Sequence, residues 1–339
     1  MRHSEAQLNS LAIRALVGCG LAHADAVDTA RILVMADMFG LHTHGLSRIE
    51  SYGERLMNGG IDRHARIEVE RVAPSMAKVN GNNGVGPLVG LRALEAATEL
   101  ARETGVGIAL ARASNHFGPI SPYNYLAAQG GFASMICSNA SVTIAPTGGS
   151  EARFGNSPIG FGVPNPGSHP FMLDMAMSVV ARAKIRRALK RGESIPDTWA
   201  TDRAGRPTSD PKAALEGFLL PIGGHKGYGL ALVVDLLAGL LSGASYLTHV
   251  KSWIDEPEQP QDIGHFYLLF DTARLGSTQW LAQRMADFCE ILRSTPPSDP
   301  QVRVRVPGDG EVDTMQRHRR DGVELEPGLH EKLDAMAAR

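Results

Sequence analysis

Residues 39–48, Phe39-Gly40-Leu41-His42-Thr43-His44-Gly45-Leu46-Ser47-Arg48, place two imidazoles, a hydroxyl and a guanidinium within a short stretch bracketed by glycines. An imidazole exchanges a proton near neutral pH, and a guanidinium matches the fork of a carboxylate, so the stretch has the parts to bind an acid and move its proton. Three readings are open. An HxH pair in an extended chain sends both rings to one side, as metal-dependent hydrolases use, yet no HExxH motif or His-rich partner accompanies His42 and His44. The histidines can instead cap the helix before them. In the third reading one of them is a catalytic acid beside Thr43, and Arg48 takes a substrate carboxylate.

Further chemistry sits at three places. Ser114-Asn115-His116-Phe117-Gly118 follows the apolar run Val106–Ala111, where α/β proteins often put reactive groups, and His116 is a candidate for proton transfer. Asp174 lies in the apolar stretch 171–176, where an unpaired carboxylate is costly, so it needs a partner. Pro221-Ile222-Gly223-Gly224-His225-Lys226-Gly227 opens a long apolar helix, and its backbone amides and Lys226 suit a phosphate or carboxylate. No Walker motif is present, and neither Gly18-Cys19-Gly20 nor Gly84-Val85-Gly86 completes a dinucleotide-binding GxGxxG.

The elements that must position these groups follow from hydrophobic period. Leu8, Leu11, Ala12, Ala15 and Leu16 recur on one helical face behind Ser4; a second helix covers 24–39. A third, marked by Ile49, Tyr52 and Leu56, has Arg48 in its first turn and ends at Gly59-Gly60. Beyond residue 65 the pattern turns to strands near 67–72 and 76–79, a helix over 87–103, and buried strands at 106–111, 132–137, 171–176 and 266–271. Helices are expected over 122–129, 179–191, 276–293 and 326–338, and the run 228–247 reads as a helix buried inside the protein. The class is α/β. A mainly helical domain of 1–65 plus 275–339 would contribute substrate residues, and 66–274 would hold the catalytic histidine and the cofactor site.

Composition narrows the function. With 34 basic against 36 acidic residues the formal net charge is −2, which offers no field for nucleic acid or an anionic membrane. Cys19, Cys137 and Cys289 are odd in number and lack CxxC spacing, so they read as small buried hydrophobes in a reducing compartment. No signal peptide opens the chain, and the run 228–247 carries Asp235 and lacks basic flanks, so a cytoplasmic protein is the default.

The motif GLHTHG at 40–45, with Arg48 and YGERLMNGG at 52–60, resembles the malate/L-lactate dehydrogenase family, which also holds ureidoglycolate and sulfolactate dehydrogenases and the piperideine/pyrroline-2-carboxylate reductases. SNHFG at 114–118, APTGGSEARFGNSPIGFGVP at 145–164, LDMA at 173–176, SIPDTWATDRAGRPTSDP at 194–211, GGHKGYGL at 223–230 and PGD at 307–309 follow in the family's order. The resemblance implies a homodimer with a non-Rossmann fold, a mixed sheet flanked by helices, using NAD or NADP. It implies a 2-hydroxy/2-oxo acid substrate such as malate, lactate or ureidoglycolate, or else reduction of a cyclic imino acid. By resemblance His116 is the proton acceptor of the hydroxyacid dehydrogenases, whereas Thr43, His44 and Asp174 match the hydroxyl, proton-donor and relay positions of the imine reductases. Thr43 stands where the family usually has Ser. Arg48, Tyr52 and His44 would meet substrate, while Ala140, Asp174, Met175, Ala176, Lys226, Pro307, Gly308 and Asp309 would line the cofactor site.

Overall fold

The computed structural model describes residues 2–339. The chain opens with β1 (Arg2–His3), α1 (Glu5–Gly18) and α2 (His23–Met38), then two single 3-10 turns at His42–His44 and Leu46–Arg48, then α3 (Ile49–Asn58). Next come β2 (Glu68–Ala73), β3 (Met76–Asn80), α4 (Gly86–Thr104), β4 (Val106–Ser114), α5 (Ser121–Gln129) and β5 (Phe132–Ser138). They are followed by β6 (Val142–Ile144), β7 (Phe154–Gly155), β8 (Ile159–Val163), β9 (Phe171–Met175), α6 (Arg182–Arg191) and α7 (Pro211–Glu216). The last third holds α8 (His225–Val234), a π-helical turn (Asp235–Leu240), β10 (Ile263–Asp271), α9 (Thr278–Arg293), α10 (Asp309–Asp321), β11 (Val323–Glu324) and α11 (Leu329–Ala337).

The first helix forms as its sequence dictates. Ser4 and Gln7 make a reciprocal capping box, and α1 buries Leu8, Leu11, Ala12, Ala15 and Leu16. These residues share one core with Leu33 and Met38 of α2, Tyr52 and Leu56 of α3, and Val312, Leu333 and Met336 from the far end of the chain. β1 pairs with β11 and ties the two ends together.

The main sheet has seven strands in the order β2-β3-β4-β10-β5-β8-β9. Every neighbouring pair is antiparallel except β3 and β4, which α4 connects as a parallel crossover requires. This is the expected mixed sheet with helices on both faces. α4 and α5 cover one face through Val89, Leu94, Tyr123 and Ala127, and Val234 and Ala238 cover Leu110, Cys137 and Phe266 on the other. β4, β5 and β9 end, and β10 begins, at one end of the sheet, with Ile263 opposite Ser114 and His265 opposite Ser138.

Several short elements, β1, β6, β7, α7 and β11, go beyond the sequence reading, and three larger departures have a physical cause. β8 lies in a glycine-rich passage that reads as loop, because the glycines alternating with Ile159, Phe161 and Val163 answer a tertiary demand. A Cβ on Gly160 or Gly162 would come within 3.0 Å of Asn124, on the α5 that crosses there. α10 shows only Val312 and Met315 as a buried helical pair among charges, too little for a periodic signal. The run 228–247 is not a buried helix: Leu230, Val233, Leu236, Leu240 and Leu241 stand 46–59% exposed, so one whole side of it is open. Cys19, Cys137 and Cys289 are buried and unpaired. Among the described residues no helix is long and apolar enough to cross a membrane.

Candidate active site

The polar segment after α2 is held by a buried carboxylate. Asp37 accepts a hydrogen bond from His42 Nδ1 at 2.8 Å and one from the Leu46 N–H at 2.7 Å. A Cβ on Gly45 would sit 2.3 Å from that carboxylate, so only glycine lets the chain wrap so closely. The hydrogen bond to Asp37 raises the pKa of His42, whose ring lies 5.9 Å from that of His318. The segment is a pair of 3-10 turns rather than extended chain, so positions 42 and 44 do not share a side. This corrects the metal reading: His42 turns to Asp37 and His44 to His116, and the described residues form no cluster of three or more metal-ligating side chains.

His44 and His116 face each other with ring centres 5.7 Å apart. Thr43 Oγ1 contacts His44 Nδ1 at 2.9 Å, and Arg48 Nε donates to the Thr43 carbonyl at 2.8 Å, which fixes the guanidinium beside both rings. Burial, and then the charge of Arg48, pushes His44 down to about 4. Burial also pushes His116 well below its ordinary value, with Arg48, His44 and His265 adding to the effect. Both imidazoles are therefore neutral at pH 7.

Tyr52, expected beside the substrate, lies behind His116 with its side chain wholly buried. Its hydroxyl is 2.8 Å from His116 Nδ1 and 2.6 Å from the His116 carbonyl oxygen. A phenol has one proton, and burial raises the pKa of Tyr52, so that proton stays on the oxygen. Donated along the shorter contact to the carbonyl, it leaves the phenol oxygen to accept from Nδ1–H. His116 Nε2 then carries the free lone pair of a base.

The backbone at His116 is equally constrained. Ala113 has φ 49°, unusual for a residue with a side chain, and its N–H is held at 2.9 Å by Asp262. Asn115 donates to Asn83 Oδ1 at 3.0 Å and to the Gly84 carbonyl at 2.9 Å. Gly86 passes so near that a Cβ would sit 2.0 Å from the His116 carbonyl oxygen. Inside the sheet His265 bridges Ser114 Oγ at 2.7 Å and Ser138 Oγ at 2.9 Å, joining the ends of β4 and β5. Sequence reasoning did not find Trp253, whose ring lies 5.4 Å from His116, or Gln261, which accepts the His116 N–H at 3.1 Å. Both come from an irregular loop without a motif.

Asp174 has the partners that its apolar setting demanded. One carboxylate oxygen accepts from Ile120 N, Ser121 N and Ser121 Oγ, each at 2.8 Å, at the start of α5. Burial outweighs these bonds and raises its pKa. Its hydrogen bonds run to α5, not to either histidine, so the structure does not assemble it with Thr43 and His44. Just beyond, Met177 and Val179 pair with Ile222 and Leu220, and Leu219 bonds to Thr143. Ala140, Met175, Ala176 and Lys226 thus belong to three segments that converge beside the ends of β5 and β9. The N-terminus of α8 has no side-chain cap, and a Cβ on Gly223 or Gly224 would meet nothing within 4 Å. Lys226 is exposed there.

Pro307–Asp309 is built into the frame. The Pro307 carbonyl accepts from Met172 N at 3.0 Å, Gly308 has φ 102° against the Pro170 carbonyl, and Asp309 forms a fork with Arg293 at 2.5 and 3.1 Å. A cavity of about 610 Å³ lies at the opposite end of the sheet, between the β8–β9 turn and the start of α9. His44, Arg48, His116, Asp174 and Lys226 do not line it.

A mixed seven-stranded sheet with a histidine pair and an arginine at its end, and no GxGxxG turn, defines an α/β protein outside the Rossmann class. The chain belongs to the malate/L-lactate dehydrogenase family, whose sequence profile matches residues 3–334. It is 36% identical to the (2R)-3-sulfolactate dehydrogenase (NADP(+)) of Chromohalobacter salexigens, over 98% of this chain and 96% of that one. It is 31% identical to the ureidoglycolate dehydrogenase (NAD(+)) of Escherichia coli, over 98% and 95%. Among solved structures, the malate dehydrogenase of Pyrococcus horikoshii superposes with a TM-score of 0.88 at 32% identity, covering 100% of this chain and 95% of the other. The Δ1-piperideine-2-carboxylate reductase of Pseudomonas syringae does so with 0.90 at 29% identity, covering 99% of each.

Proposed function

We propose that the protein is an NAD(P)-dependent dehydrogenase that oxidises a small 2-hydroxy acid to the 2-oxo acid, or runs the reverse reaction. The observation that carries this is the facing pair of imidazoles beside Arg48, with the Tyr52 hydroxyl against Nδ1 and the carbonyl of His116. Arg48 binds the substrate carboxylate, and His116 Nε2 accepts the proton of the hydroxyl. When bound, the nicotinamide supplies the hydride acceptor. The uncapped start of α8, Lys226, and the segments holding Ala140 and Asp174–Ala176 suit its phosphates and sugars, and we assign Pro307–Asp309 to the same site. In this reading the helical layer brings Arg48 and His44 to the substrate, while the sheet carries His116 and the cofactor segments. The open apolar row from Leu230 to Leu241 supports a homodimer.

Cyclic imine reduction asks a histidine to donate a proton. Rings held neutral by burial and a neighbouring guanidinium favour acceptance, so the hydroxy acid reading comes first. Arg48 is lowered by burial and also by the like charge of Arg186 on α6, a repulsion that an acid with a second anionic group would relieve. Malate and 3-sulfolactate carry that group and lactate does not. In a panel of these acids, ureidoglycolate and cyclic imines with both cofactors, followed by nicotinamide absorbance, a dianionic acid should exceed lactate in kcat/KM by about tenfold, the ratio for one extra screened ion pair of about 1.4 kcal/mol. Turnover of the imines alone would reverse the assignment.

The pH profile follows from the same electrostatics. A base with a lowered pKa stays unprotonated to lower pH, so the acid limb of kcat/KM should fall below 6.5, the ordinary value for histidine. A bound carboxylate offsets the Arg48 charge that helps to hold His116 down, so the limb of kcat should lie at higher pH than that of kcat/KM. Coincident limbs would remove Arg48 from that role.

A further inference from the structure

Residues 251–261, between a 3-10 turn and β10, form neither helix nor strand and contain Pro257 and Pro260. Carbonyls that an irregular loop turns toward the protein need donors, and here one buried side chain provides them. Arg55, 1% exposed, donates through Nη1 to the carbonyls of Trp253 and Glu256, each at 3.1 Å, and through Nη2 to that of Gln259. No carboxylate among the described residues forms an ion pair with it. Its guanidinium carbon also lies 4.7 Å from the centre of the Trp253 ring. The indole N–H of Trp253 has no acceptor among the described residues, so packing and Arg55 alone set the ring. Gly60 adds a second grip, since a Cβ there would come within 2.0 Å of the Pro257 carbonyl oxygen.

The other side of the loop meets the active site. Trp253 packs 5.1 Å from Tyr52 and 5.4 Å from His116, ring centre to ring centre. Gln261 accepts the His116 N–H, and its Nε2 donates to Ser141 Oγ at 3.2 Å and to the Lys251 carbonyl at 3.3 Å. Ser141 Oγ donates to the same carbonyl at 3.0 Å. Ser141 follows Ala140, in the segment assigned to the cofactor. Arg48, Tyr52 and Arg55 stand at i, i+4 and i+7, so one face of the α3 region addresses the substrate, the histidine and this loop.

We propose that Arg55 is a positioning residue: by holding the carbonyls of Trp253, Glu256 and Gln259 it seats Trp253 and Gln261 against His116 and fixes His116 relative to Ser141. This rests on the reading of His116 as the proton acceptor. A lysine cannot reproduce the fork, because its donors radiate from one nitrogen.

The test compares Arg55→Lys, Arg55→Gln and Gln261→Met with the unchanged protein. Steady-state kinetics gives kcat and KM, and 15N-histidine NMR of the protein without cofactor follows the His116 titration, assigned through His116→Ala. His116 is faced by Arg48, His44, His265 and the Tyr52 hydroxyl, none of which these variants alter. We expect kcat to fall by about ten- to a hundredfold with KM for the acid changed far less, as misplaced reacting groups produce. The His116 titration should move up as water enters, with Arg55→Lys between Arg55→Gln and the unchanged protein. Folded Arg55→Gln and Gln261→Met with unchanged kcat and an unmoved titration would overturn the proposal. A lower kcat with an unmoved titration, and no gain from lysine, would also overturn it by marking a merely structural role. If the Arg55 variants do not fold, Gln261→Met decides, since it leaves the buried guanidinium in place. Undiminished turnover in His116→Ala would instead sink the catalytic reading, while the NMR titration would still test the positioning.

Discussion

Replacing His116 with alanine is expected to lower kcat by about 10²–10⁴-fold, the usual contribution of a positioned proton-transfer group. Cofactor affinity should change little. His116 stands just past the end of β4, and the segments assigned to the nicotinamide cofactor follow β5, end β9, and open α8 and α10. The loss should be specific to the chemical step, because the neutral ring, the free Nε2 and the Tyr52 contact serve proton acceptance rather than binding. Nicotinamide absorbance gives kcat, and fluorescence titration gives cofactor affinity. Undiminished turnover would remove His116 from the mechanism. The companion His44→Ala separates the competing assignments: the larger fall in kcat marks the histidine that moves the proton.

Arg48→Ala should act mainly on the acid. Truncating one partner of a desolvated, hydrogen-bonded charge pair costs about 2–5 kcal/mol, so KM for the acid should rise by at least about thirtyfold. Arg48→Lys keeps the charge but loses the planar fork and should recover only part of the affinity. A second signature follows from electrostatics. Arg48 lowers both His44 and His116, so its removal should shift the acid limb of kcat/KM to higher pH. In Arg48→Lys the limb should stay nearer its original position. An unchanged KM would exclude the carboxylate contact, and an unmoved limb would exclude the charge effect.

The Arg55 clamp and the Arg48 site show why a helix can be read more easily than a site. Arg48, Tyr52 and Arg55 recur at helical spacing, so their common face is visible in the residues. Their partners are not. The family resemblance puts Tyr52 with Arg48 at the substrate, and in the structure its hydroxyl meets the ring and carbonyl of His116. Trp253 and Gln261 come from a loop about 200 residues further along the chain, a separation that no local pattern spans. Asp174 was legible as a carboxylate in need of partners, but the start of α5 as the source of those partners was decided by packing.

The glycines divide in the same way. Gly59 ends α3 with φ 83°, a role that its position predicts. Gly45, Gly86 and Gly160 are glycines because a carboxylate, a histidine carbonyl and a crossing helix lie where a Cβ would be. The exposed side of the helix opened by His225 belongs to this second group. Apolar residues on every side imply burial, but the chain by itself covers only the face that meets β4, β5 and β10.

The sequence by itself determined the faces of the first three helices, the buried strands β4, β5, β9 and β10, and the inventory of His44, Arg48, His116 and Lys226, because period and residue type are local properties. Its ordered motifs also identified the family. Only the tertiary structure decided that His42 belongs to Asp37 and His44 to His116. It alone placed Tyr52 behind the His116 ring and set a buried arginine against the loop that packs on that ring. Those facts depend on which distant groups meet in a low-dielectric interior, where one charge at close range sets the protonation of its neighbours.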